Sequence, residues 1–83
     1  MNQPHNDKQD DIQIDVCGLE PPEPLERVLE GLTRLAAGQR LRVLIPREPH
    51  PLYSILERNG YLHETTCRED YLYEILIWQK AGA

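Results

Sequence analysis

Gly18-Leu19-Glu20-Pro21-Pro22-Glu23-Pro24 joins two segments of different period, and its reading decides the fold. Before it, Ile12, Ile14 and Val16 alternate with Gln13, Asp15 and Cys17, the period of a strand buried on one face. After it, Leu25, Val28, Leu29, Leu32 and Leu35 recur at helical spacing, with Glu26, Arg27, Glu30 and Arg34 on the other side. Glycine permits the backbone geometry of a turn, and three prolines in four positions bar a helix until about the last of them. Proline is tolerated in a helix's first turn, where the missing N–H has no partner in any case. Glu20 and Glu23 put negative charge where the helix dipole favours it, an effect of about 0.3–1 kcal/mol each. The stretch is therefore a strand-to-helix turn.

The remaining elements follow from the same signals. Gly31 inside the helix costs about 1 kcal/mol relative to alanine and points to close packing. Gly38 is expected to stop the helix in a left-handed conformation. Arg40 to Pro46 reads as a second strand with Leu41, Val43 and Ile45 inward. Arg47-Glu48-Pro49-His50-Pro51 is a stiff loop, and Pro51 opens a second helix with Leu52, Ile55 and Leu56 as its stripe. Asn59-Gly60 closes it. Leu62 to Cys67 is a shorter, more polar strand, and Arg68-Glu69-Asp70 is a turn. Tyr71 to Trp78 is apolar at nearly every position, as suits a strand with neighbours on both sides. A right-handed crossover makes the first two strands parallel, and a single apolar stripe on each helix requires only two layers. The predicted class is α/β in the form of an α+β two-layer sandwich: β-α-β-α-β-β, a four-stranded mixed sheet with two helices on one face.

Composition bounds the function. The chain has 83 residues, enough for one domain, placed at 12–79 between a polar tail at 1–11 and a short tail at 80–83. His5 and Asp7 lie in the first tail and are given no role. A net charge of −5 argues against general nucleic-acid binding, which needs a basic face. No apolar run approaches the roughly 18 residues of a membrane span, and the N-terminus has no apolar signal core. A cytoplasmic location is expected, with the two cysteines as free thiols. No Ser/His/Asp pattern, glycine-rich phosphate loop or paired-carboxylate signature is present, so the residues favour binding over catalysis, with no cofactor.

Ile14 to Pro24 resembles the opening of the TusA/SirA-like sulfur-carrier superfamily, whose motif reads roughly Leu-Asp-x-x-Gly-x-x-Cys-Pro-x-Pro before a helix. Aligned on Gly18 and the Pro22-x-Pro24 pair, the family's active cysteine falls on Pro21. The blocks Gly-Leu-Glu-Pro-Pro-Glu-Pro at 18–24 and Arg-Glu-Pro-x-Pro-Leu-Tyr at 47–53 resemble an uncharacterised bacterial branch, the domain-of-unknown-function family 2249. The resemblance covers about residues 12–79 and implies the strand order first, second, fourth, third. Relatives in this branch occur beside or fused to haemerythrin-like domains, which implies a redox or metal-handling setting. The alternative it implies is a degenerate sulfur-relay component that docks to sulfur-transfer partners with Pro21 in place of the carrier cysteine.

In open α/β sheets, ligands sit beyond the carboxyl ends of parallel strands. The 18–24 turn and the 47–53 segment meet there, which makes Glu20, Glu23, Arg47, Glu48, His50 and Tyr53 the candidate ligand-binding residues. Arg68 joins them if the third strand is parallel. The competing structural role is an ion pair from Arg47 to Glu20 or Glu23 that ties the loops together. Persulfide chemistry would need an activated thiolate, and Cys17 lies on the strand, outside the helix's field. No metal site is expected: there is no Cys-x-x-Cys pair, and His63 and Cys67 lie about 13 Å apart along their strand. A transient cation at His50 with Glu48 or Glu20 is the one alternative. In the family's strand order Cys17 and Cys67 sit on opposite edges, about 14 Å apart, too far for a disulfide. Leu44, Leu76 and Trp78, with Leu72, fall on the sheet face away from the helices and form a candidate interaction surface. A protein partner or a homodimer is expected there, and a small ligand at the loop end.

Overall fold

Burial alternates along the second strand: Leu41, Val43 and Ile45 are buried, while Arg42 and Leu44 are half-buried on the other face. The structure, a computed structural model, describes residues 11–80. Its elements are β1 (Ile12–Asp15), α1 (Glu23–Leu32), β2 (Arg40–Ile45), α2 (His50–Arg58), β3 (Tyr61–Cys67) and β4 (Tyr73–Gln79). They form one four-stranded sheet in the order β1-β2-β4-β3. β1 runs parallel to β2, and β4 runs antiparallel to both β2 and β3. β3 is therefore parallel to β1 and β2, and the carboxyl ends of all three share one rim of the sheet. This is the predicted class and the predicted strand order.

Both helices cover one face. Val28 and Leu32 from α1 and Leu52 and Leu56 from α2 join Leu41, Val43, Ile45, Ile75 and Ile77 in a single core. α1 lies over β1 and β2, and α2 lies over β3. Gly31 makes the first of these contacts possible. A Cβ there would come within 3.1 Å of Leu41 Cδ1 and 3.2 Å of its Cδ2, so an alanine would fit only if the Leu41 methyls gave way slightly. Fully burying a leucine-sized side chain contributes about 1.5–3 kcal/mol, and this core supplies most of the fold's stability.

Several boundaries differ from the sequence reading, each for a local reason. α1 begins at Glu23, with Pro24 inside its first turn, because the Glu23 N–H already bonds Glu20 O at 2.9 Å. It ends at Leu32, where the Thr33 hydroxyl donates to Glu30 O at 2.7 Å. Gly38 does have φ +82°, but it serves the later Ala36–Gln39 turn and is not the helix stop. β1 stops at Asp15 because the Cys17 N–H turns to Asp15 Oδ1 at 2.9 Å. β4 starts at Tyr73, not Tyr71: Tyr71 takes φ +66° in the preceding turn and is 84% exposed.

The polar tails, with His5 and Asp7, lie outside the described residues, except for Asp11 and Lys80. Asp11 is not a free tail residue. Its carboxylate accepts hydrogen bonds from Arg40 Nε at 3.0 Å and from Arg42 at 2.7 Å, on the sheet face away from the helices. Arg42 also pairs with Glu74. The expected apolar surface of Leu44, Leu76 and Trp78 is consequently half-buried and crossed by ion pairs, because Arg42 stands opposite Leu76 and Glu74 opposite Leu44 in the register.

Candidate functional site

The 19–25 turn and the 45–52 segment face each other at the shared rim and enclose a groove of about 630 Å³. Each wall is built by a strand that ends, a proline-rich turn and the first turn of a helix. Six prolines line it, Pro21, Pro22 and Pro24 from one wall and Pro46, Pro49 and Pro51 from the other. The Pro21–Pro22 peptide is cis. Leu19, Leu25, Val28, Ile45 and Leu52 complete the apolar lining. Proline fixes φ and brings no N–H, so the walls are stiff and poor in backbone donors. The volume lies within the 300–1,000 Å³ or so typical of small-ligand sites.

Of the predicted site residues, Glu20, Arg47 and Glu48 line this groove. The expected ion pair from Arg47 to Glu20 or Glu23 is not formed. Glu23 instead pairs with Arg27 at 3.2 Å, one helical turn on, on the exposed side of α1. Glu23 is not among the residues that line the groove. Arg47 makes no hydrogen bond or ion pair with any described residue. The loops are held apart by proline stiffness and core packing, with no salt bridge between them.

Glu48, His50 and Tyr53 form a second cluster beside the groove. Tyr53 donates to Glu48 Oε2 at 3.0 Å and lies 2.7 Å from Thr65 Oγ1. Its ring stacks on His63 with centroids 4.4 Å apart, and His50 meets it edge-on at 5.9 Å. His50 Nε2 is 3.6 Å from Glu48 Oε1, and its side chain is 75% exposed. Burial pushes the Tyr53 phenol up; the Thr65 hydrogen bond works against this, and the Glu48 carboxylate adds to it. The cluster ties α2 to β3. Thr65 was not singled out by sequence and His63 was weighed only as a metal ligand, although their inward alternation in β3 was the available signal.

Among the described residues no group of three or more His, Cys, Asp or Glu side chains could hold a metal ion. His50 has Glu48 beside it, and Glu20 is not part of that cluster. Cys17 and Cys67 are free thiols. Burial and then the hydrogen bond and charge of Asp15 push the Cys17 thiol up, the opposite of thiolate activation. Arg68 stands on the same rim, as a parallel β3 requires, but its guanidinium is paired with Asp70 at 3.0 Å. Of the floor residues, Leu25, Val28 and Leu52 were read only as helix stripes and Leu19 only as part of the turn. The available signal was the placement of Leu25 and Leu52 directly after the helix-opening prolines.

The groove therefore offers apolar surface and three charged groups at its edge, with no serine, threonine, cysteine, histidine or lysine in its lining. It can bind and orient. No described helix is long and apolar enough to cross a membrane. Residues 13–79 match the model of a family described as an uncharacterized conserved protein, DUF2249. No curated protein and no solved structure matches the chain.

Proposed function

The chain belongs to the DUF2249 family of uncharacterized conserved proteins, and we propose that it is a small non-catalytic binding module whose ligand occupies the groove between residues 18–24 and 47–53. The observation that carries this reading is the groove itself, two stiff proline walls around apolar floor residues at the rim where ligands meet parallel strands. The resemblance to TusA/SirA-like proteins supports it, because Pro21 lines the groove at the position of the carrier cysteine. The redox or metal-handling setting comes from that resemblance alone. Leu44, Leu76 and Trp78 on the open sheet face are the second proposed surface, for a protein partner or a second copy.

Methyl-labelled protein screened by NMR against small apolar compounds tests the groove. Shifts should gather at Leu19, Leu25, Val28 and Leu52 and vanish in Leu25→Arg, which places a charge inside. Shifts confined to the open sheet face, or none, would remove the reading. For the second surface, sedimentation of Trp78→Glu should show a lower oligomeric state or a lost partner; an unchanged state would remove it.

The second reading is a degenerate sulfur-relay component that docks to sulfur-transfer partners. The loss of a thiol at Pro21, together with the raised Cys17 thiol, favours docking without sulfur carriage. Incubation with a cysteine desulfurase should leave both cysteines unmodified by mass spectrometry. Sulfur found on Cys17 would overturn the non-catalytic assignment.

A further inference from the structure

We propose that the groove takes a small apolar carboxylic acid, with its head on Arg47 and its hydrocarbon body along the proline-lined floor. The inference rests on the groove being the binding site. Arg47 is the one cation in the lining, and it has no partner among the described residues. Its own N–H and that of Glu48 are likewise without a hydrogen-bond partner. These donors are consecutive and lie between Pro46 and Pro49, so the loop that presents them is stiff. A guanidinium with free donors can meet a planar carboxylate with two parallel hydrogen bonds.

The neighbouring carboxylate does not neutralise Arg47. Glu48 directs its oxygens to Tyr53 at 3.0 Å and His50 at 3.6 Å, on the α2 side. Glu20, on the other wall, is the charge that opposes an anion. It keeps the affinity modest, and its removal should raise it. Beyond the rim the lining is hydrocarbon, and the prolines donate nothing, so the ligand's body must be apolar.

The test uses the full chain and three matched ligands, hexanoate, hexan-1-ol and hexylamine, titrated at neutral pH and low salt and followed by backbone amide NMR. Hexanoate should bind about three- to fivefold more tightly than the alcohol, the scale of an exposed ion pair. Its largest shifts should fall on the Arg47 and Glu48 amides. Arg47→Gln should remove most of hexanoate's advantage over the alcohol, while Glu20→Gln should strengthen hexanoate. Hexylamine binding as tightly as hexanoate, or a carboxylate preference undiminished in Arg47→Gln, would overturn the inference. Equal affinities for all three would remove the carboxylate and keep the groove. No shift at groove residues with any of the three would defeat the groove reading itself.

Discussion

The Asp11 carboxylate lies 2.7 Å from the Arg42 guanidinium, and this contact fastens the start of β1 to the open face of the sheet. Arg40 adds a second hold at 3.0 Å. Burial alone would raise the Asp11 pKa, but the hydrogen bonds and charges of Arg42 and Arg40 outweigh it and hold the carboxyl below its ordinary value.

A depressed carboxylate pKa stabilises the fold above the unfolded value, about 3.9, and that contribution is lost as pH falls through the folded value. Asp11→Asn should therefore destabilise the protein at pH 7 by about 1 kcal/mol, the upper end for a partly exposed pair. The difference between variant and parent should shrink below about pH 4. Urea unfolding at pH 7 and pH 3 checks this; equal differences at both would contradict the linkage.

The Cys17 thiol is held in its neutral form by burial and by Asp15, whose carboxylate accepts the Cys17 N–H at 2.9 Å. In a Cys67→Ser background, alkylation of Cys17 at pH 7–8 should be slower than that of an unstructured peptide thiol. Adding Asp15→Asn should accelerate it, since the thiolate loses a facing negative charge. Alkylation rates across pH, read by mass spectrometry, decide the point.

Gly31 packs tightly against Leu41, and Leu41 is fully buried. Alanine gains helix propensity of about 1 kcal/mol but presses on the Leu41 methyls, so the two effects should nearly cancel. Leucine cannot be accommodated there. Gly31→Leu should cost at least about 2 kcal/mol through overpacking and displacement of α1 from the sheet. Thermal and urea unfolding of the pair give the comparison.

Tyr71 sits at φ +66°, a left-handed conformation that costs a non-glycine residue about 1–2 kcal/mol. Its side chain is almost entirely exposed and adds no core contact. Tyr71→Gly should therefore be neutral or stabilising by up to about 1 kcal/mol, the strain relief being partly offset by glycine's freedom in the unfolded chain. Tyr71→Val, with its branched Cβ, should destabilise. A loss of stability in the glycine variant would mean that the phenol makes contacts beyond its exposed position.

Element order and inward residues were legible because they depend on local period. Ile12 and Ile14, the Leu25–Leu32 stripe, Leu41-Val43-Ile45 and the unbroken apolar run of β4 each carry their assignment within a few residues. The helix boundary at Leu32 was less legible, because a Thr33 hydroxyl ended α1 before Gly38 was reached. The position of the groove was legible from the two proline blocks at the ends of parallel strands. Its lining was legible only in part: Glu20, Arg47 and Glu48 line it, while Glu23 pairs with Arg27 and His50 and Tyr53 gather beside Glu48, choices made by side-chain reach.

By itself, then, the order of residues determined a two-layer β-α-β-α-β-β fold with stiff, donor-poor turns at one rim, since periodicity and proline act over single turns of backbone. Only the tertiary structure decided that Asp11 is anchored, that Gly31 lies against Leu41, and that Arg47 has no partner among the described residues. Those outcomes depend on distances between segments far apart in the chain, which register and packing set and which no local pattern encodes.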